Sequence, residues 1–286
     1  MQNPTIQIIE CPRDAMQGWT INIPTQIKIE YINQLLQCGF HTLDFGSFVS
    51  PKAIPQMADT AQVIAGINLQ NTPTKLLAII ANVRGANEAV KYNEISYLGY
   101  PLSISPTFQL RNTNSTIDDS LLDLQTIQTL CIKHSKQLVV YLSMAFGNPY
   151  NDDYNETMLL QYANKVSNLG VHIISLADTV GVATPLQIST ALTTLIPTYN
   201  HITFGVHLHT TSTNWEAKLN AALAAGCTRI DGAINGIGGC PMAGNNLVGN
   251  LATENILALL HKKNIPTNVN LLNFTNAMEI ANTVFM

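Results

Sequence analysis

The sequence predicts an α/β fold, a closed (β/α)8 TIM barrel in a single domain. Three observations predict it. Eight short apolar, β-branched runs recur along the chain, amphipathic segments lie between them, and 286 residues can hold one large core. The count of eight favours a closed barrel over a doubly wound sheet, and no GxGxxG follows the first run, as a dinucleotide-binding sheet would want.

The first strand is expected in TIQIIECP (5–12), followed by a helix with apolar spacing in IKIEYINQLLQCG. HTLDFGSF (41–48), KLLAIIAN (75–82) and EISYLGYP (94–101) read as the second to fourth strands. LLDLQTIQTLCIKHS then reads as a helix, QLVVYLSMAFG (137–147) as the fifth strand, and MLLQYANKVSNLG as another helix. VHIISLADTVG (171–181) and HITFGVHLH (201–209) supply strands six and seven. NWEAKLNAALAAG is helical, and CTRIDGAING (227–236) is the eighth strand. TENILALLHKK completes a barrel spanning about 5–262, and a packing helix is expected over about 268–285. Residues 1–286 are thus read as one unit.

Composition excludes several classes of function. A formal charge of −4 leaves no basic footprint for nucleic acid and no polybasic membrane patch. The five cysteines, Cys11, Cys38, Cys131, Cys227 and Cys240, form no CxxC pair, which argues against a thiolate zinc site or a disulfide framework. The chain opens directly into a strand-like run without a signal-peptide pattern, and no apolar run is long enough to span a bilayer. The expectation is a soluble, cytoplasmic protein.

A barrel concentrates its chemistry at the C-terminal ends of its strands. There the sequence places Glu10, Arg13 and Asp14, then Asp44 and Ser47, then Ser175, Asp178 and Thr179. His207 and His209 follow in "VHLH", and Asn235 with GIGGC follows strand eight. The HxH spacing puts both imidazoles on one face of a strand, which suits either a packed rim pair or half of a metal site. With Asp14 at the same mouth, the set becomes a carboxylate and two imidazoles with open positions, and Asn250 can add an amide oxygen. Such ligation suits Mg²⁺ or Mn²⁺, with room for Zn²⁺. Arg13 can stabilise an enolate or carboxylate, or form a surface salt bridge. Cys240 sits in a glycine-dense loop that reads either as a lid delivering a thiol to substrate or as a tight turn with a bystander.

The motifs IIECPRDAMQ, DFGSFVSPKAIPQMAD, ISLADTVGVATP, VHLH, GIGGCP and GNLATE, in that order, resemble the 3-hydroxy-3-methylglutaryl-CoA lyase family. That group is related to Claisen-condensing synthases. The resemblance implies retro-Claisen cleavage of 3-hydroxy-3-methylglutaryl-CoA to acetyl-CoA and acetoacetate. It implies metal ligation by Asp14, His207, His209 and Asn250, and enolate stabilisation by Arg13. It also implies a lid role for Cys240 and a place near the metal for Glu254. Asp44 falls near the reacting centre, His207 is a second candidate for proton transfer, and Gln17, Ser47, Ser175, Asp178 and Thr179 are expected to hold the acyl group and thioester. A homodimer is admitted.

The sequence also departs from the family pattern. Thr210 replaces an aspartate, STNW (212–215) replaces a tyrosine-glycine-glutamine run, Asp44 replaces a glutamate, Thr20 a lysine and Asn255 an aspartate. These departures keep another 3-hydroxyacyl-CoA open as substrate. A condensing synthase and a catalytically weakened acyl-CoA binder stay open too, and the short stretch after GNLATEN favours the lyase over the synthase.

Overall fold

The structure, a computed structural model, describes residues 5–239 and 248–286. Eight parallel strands pair in chain order and close on themselves: β1 (Gln7–Glu10), β2 (Thr42–Ser47), β3 (Lys75–Ile79), β4 (Ile95–Ser103), β5 (Gln137–Ser143), β6 (Ile173–Ala177), β7 (Thr203–His207) and β8 (Arg229–Gly232). The closing ladder runs from Gln7 opposite Arg229 to Glu10 opposite Gly232. The chain is therefore a TIM barrel, as its eight apolar runs imply.

The helices are α1 (Pro12–Gln17), α2 (Thr25–Leu36), α3 (Thr60–Gly66), α4 (Val83–Ala89), α5 (Pro106–Thr113), α6 (Ile117–Lys133), α7 (Glu156–Asn168), α8 (Pro185–Thr198), α9 (Trp215–Ala224), α10 (Thr253–Lys262) and α11 (Leu271–Val284). Local signals set several starts. Ser105 accepts from the Phe108 backbone N–H ahead of Pro106, and Asn155 caps α7 through Met158. Thr184 and Gln187 form a capping box at α8.

The main core fills the space between the outer strand faces and the helices, with Ile8, Leu43, Leu98, Val140, Ile174 and Val206 fully or nearly fully buried. A smaller cluster of Leu77, Tyr97, Val139, Tyr141 and Ile173 packs separately, filling the barrel as layers of side chains do in this fold. The expected C-terminal packing helix is α11. It lies against α2, with Phe274 edge-on to Phe40 at 6.1 Å and Phe285 edge-on to Trp19 at 5.3 Å. Among the described residues no helix is long and apolar enough to cross a membrane.

Candidate active site

β1 ends at Glu10, and Pro12 opens α1 two residues later. Proline suits a first helical turn, where its φ is already set and no N–H is needed. Spacings of three and four along α1 put Arg13, Asp14 and Gln17 within reach of one another. Arg13 Nη1 donates to Asp14 Oδ1 at 3.0 Å and to Gln17 Oε1 at 2.8 Å, and Gln17 Nε2 donates to Asp14 Oδ1 at 2.7 Å. The other side of the guanidinium meets Asp44 of β2, with Nε at 3.1 Å from both carboxylate oxygens and Nη2 at 2.5 Å from Oδ2.

His207 is the last residue of β7, whereas His209 lies beyond the strand. The HxH spacing implies one strand for both, and here the structure differs. His209 forms an isolated antiparallel bridge with Asn250. Leu251 N donates to Leu208 O and Thr210 N to Gly249 O, both at 2.9 Å. That pairing carries Asn250 to the mouth, where its Nδ2 donates to Asp14 Oδ2 at 2.7 Å and to Ile237 O at 2.9 Å. Gly238 lies against the same amide. A Cβ there would fall 2.5 Å from Asn250 Nδ2 and 3.0 Å from Asp14 O, and its φ of +108° is one that side chains avoid.

Asp14, His207 and His209 present ligand atoms all within 4.8 Å of one another. Asn250 Oδ1 is buried beside them without a hydrogen-bond partner among the described residues. Carboxylate, imidazole and amide oxygen make a donor set that fits a hard or borderline divalent cation. Cys11, His207 and Asp231 form a second group of the same compactness. Burial, reinforced by the charges of Asp231, Asp44 and Asp14, pushes the Cys11 thiol well up, so it keeps its proton and is a poor ligand. Asp231 Oδ2 instead meets His207 Nδ1 at 3.2 Å, which leaves Nε2 free for the Asp14 side.

The charges differ sharply within a few ångströms. Burial opposes ionisation of Asp14, yet Arg13, then His207 and the Asn250 hydrogen bond, outweigh it and hold the carboxyl at about 2. For Asp44 burial prevails over Arg13, and its carboxyl rises to about 6. Burial and the neighbouring His207 bring His209 down to about 4, so it is a neutral imidazole at pH 7.

These groups open on a cavity of about 480 Å³ whose wall includes Arg13, Asp14, Gln17, Asp44, Thr179, His207 and His209. Apolar Ile54, Ile79, Pro101 and Phe108 line it too, with Arg111 and Asn82 among its polar residues. Other expected site residues stand elsewhere. The Ser47 hydroxyl accepts from Val49 N at 3.2 Å and does not line this cavity. Ser175 is fully buried in register between Tyr141 and Gly205, two residues below Ala177 of the cavity wall. Asp178 is turned away into a buried ion pair with Lys218 at 2.7 Å. Thr179 is at the wall, but its hydroxyl already accepts from Met144 N at 2.8 Å. Glu254 accepts from Asn235 N at 3.2 Å outside the lining set. Cys240 lies outside the described residues.

Sequence reasoning misses Asp231, Lys218 and Arg111. A charged residue inside the apolar eighth run is the available signal for Asp231. Arg111 sits on α5, a helix the periodicity does not announce, and stacks over Tyr150 at 4.7 Å.

The HMGL-like family model matches residues 6–284. The chain belongs to that family. It is 33% identical over 269 residues to the cytoplasmic 3-hydroxy-3-methylglutaryl-CoA lyase of Rattus norvegicus, covering 93% of this chain and 77% of the relative. It is 34% identical over 262 residues to the hydroxymethylglutaryl-CoA lyase YngG of Bacillus subtilis, covering 91% and 86%. An HMG-CoA lyase structure from Acinetobacter baumannii, in complex with coenzyme A and 3-methylmalate, superposes with a TM-score of 0.92 at 30% identity, covering 100% of this chain and 92% of that one. The B. subtilis lyase structure does so with 0.92 at 31% identity, covering 99% and 95%. These relatives are C–C lyases by name, and this chain shares their barrel from end to end. The carboxyl transferase domain of Rhizobium etli pyruvate carboxylase, at 14% identity, shares the fold alone.

Proposed function

We propose that this chain is a divalent-metal-dependent lyase that cleaves 3-hydroxy-3-methylglutaryl-CoA into acetyl-CoA and acetoacetate. One observation carries the reading: Asp14, His207 and His209 converge within 4.8 Å beside Arg13, on the wall of one cavity. The family membership and the end-to-end likeness to HMG-CoA lyases support it. Asp14, His207, His209 and Asn250 would hold the cation, Mg²⁺ or Mn²⁺ by the chemistry of the donors. Bound there, such an ion supplies Lewis acidity that lowers the pKa of a coordinated hydroxyl.

The reaction removes the proton of the tertiary hydroxyl and breaks the adjacent C–C bond. The hydroxyl-bearing carbon becomes the ketone of acetoacetate. The bonding pair passes to the thioester enolate, which then takes a proton at carbon. Arg13 is suited to the charge on that enolate. Of its five N–H groups, one on Nε and one on Nη2 point at Asp44, and two on Nη1 point at Asp14 and Gln17. One Nη2–H remains for an oxyanion in the cavity, and Asp44 and Gln17 hold the guanidinium plane still. Thr179, at the wall, is assigned to the acyl group. The protonation at carbon is assigned to Cys240, with His207 as its partner, on the sequence alone.

Purified chain supplied with Mg²⁺ or Mn²⁺ should release acetoacetate from 3-hydroxy-3-methylglutaryl-CoA and stop when the cation is chelated. Silence on that thioester, with cleavage of a different 3-hydroxyacyl-CoA, would replace the substrate. Release unaffected by chelation would remove the metal.

A further inference from the structure

Behind the proposed cation site lies a buried ammonium that the chemistry above does not use. Lys218, on α9, is 1% exposed. Its Nζ donates to Asp178 Oδ2 at 2.7 Å, to His209 O at 2.8 Å and to Gly181 O at 3.0 Å. A lysine ammonium has three N–H donors, so none is left for a substrate.

Two of these acceptors belong to the turn after β6, and the third is the main chain of His209. The turn itself reaches back to His207. Asp178 N donates to His207 O at 2.9 Å. Asp178 Oδ1 also accepts from Ala183 N at 2.9 Å, which fixes the far side of the turn. The β6–β7 ladder ends at Ala177 opposite His207. His209 lies two residues past that ladder, and on this side Lys218 grips its carbonyl instead.

We infer that Lys218 is a positioning residue for the cation site: its ammonium ties the His209 main chain to the Asp178–Gly181 turn that follows β6. The inference rests on the cation site proposed above. A lysine that only balanced the Asp178 charge would need that one carboxylate. Two further contacts, to carbonyls on separate segments, are what a brace requires.

Mn²⁺ titration followed by the EPR signal of the free ion, with thermal unfolding of the metal-free chain alongside, tests the brace. Lys218→Met should weaken Mn²⁺ binding by about tenfold or more, the scale of an outer-shell loss. It should also lower Tm, because Asp178 is left buried and uncompensated. The double variant Asp178→Asn with Lys218→Met should recover Tm yet keep the weakened Mn²⁺ binding, and it decides alone if the single variant does not fold. Full recovery of Mn²⁺ affinity in the double variant would reduce Lys218 to a counter-charge and overturn the inference, as would wild-type affinity in Lys218→Met. A wild-type chain that takes up no Mn²⁺ sinks the cation reading itself, and the brace with it.

Discussion

Two buried ion pairs flank the cation site, Arg13–Asp44 on the cavity wall and Lys218–Asp178 behind it. Both carboxylates are raised by burial against the pull of their cation. Both cations are nearly inaccessible, with 9% and 2% of their side chains exposed. The donors separate them. The ammonium spends all three N–H groups on protein oxygens, whereas the planar guanidinium, clamped by Asp44, Asp14 and Gln17 on the cavity wall, keeps one uncommitted. Equal burial thus yields one group that can meet developing charge and one that can only hold its surroundings.

The sharpest way to break this distinction is Arg13→Gln. If the remaining N–H meets an enolate, turnover should fall by a factor on the order of a hundred or more. Mn²⁺ affinity should change far less, because the ligands stay. Steady-state acetoacetate release and Mn²⁺ titration on the same preparation check both. A loss of only about twofold would make Arg13 a counter-charge for its acid and nothing more.

Asp231→Asn probes the scaffold side of the comparison from a third direction. Asp231 is buried, and its carboxylate accepts the Nδ1 hydrogen of His207, which orients Nε2 toward Asp14 and His209. An amide in its place can offer a donor and favour the wrong tautomer. Mn²⁺ affinity should drop by roughly ten- to a hundredfold, the range for partners of metal-bound histidines. Unchanged affinity would show that the ring is held by packing, for instance by the edge contact with Tyr141 at 6.0 Å.

The barrel was legible because eight apolar runs and the helices between them obey short-range periodicity. Arg13, Asp14, His207 and His209 were legible for a related reason, since a barrel gathers the ends of its strands at one mouth. Orientation at those ends was not. β2 carries a register irregularity between Asp44 and Gly46, and a one-residue slip changes which face a following side chain takes, as Ser47 illustrates. His209 reaches the site through its bridge to Asn250 rather than through strand alternation, a contact across 41 residues that periodicity does not encode. The partnership of Lys218 with Asp178, 40 residues apart, was hidden likewise. It turns a residue expected to bind substrate into part of the frame.

Glu10 completes the series as a buried acid with no cation among its described partners. It is fully buried at the end of β1, accepts from Ile234 N at 2.9 Å and shares a 2.5 Å hydrogen bond with the Thr253 hydroxyl. Burial pushes its carboxyl up to about 8, against the lowering effect of those two hydrogen bonds. At neutral pH the folded chain therefore keeps a proton that the unfolded chain has released. With more protons bound in the folded state between about 4.5 and 8, stability must fall as pH rises through that window. Glu10→Gln mimics the protonated acid at every pH and removes this slope. The Tm of the variant relative to the parent should climb between pH 5 and pH 9 by about several degrees, the smallest effect of the set. Parallel Tm profiles would mean that Glu10 ionises normally, and that a buried acid here needs no cation to carry charge.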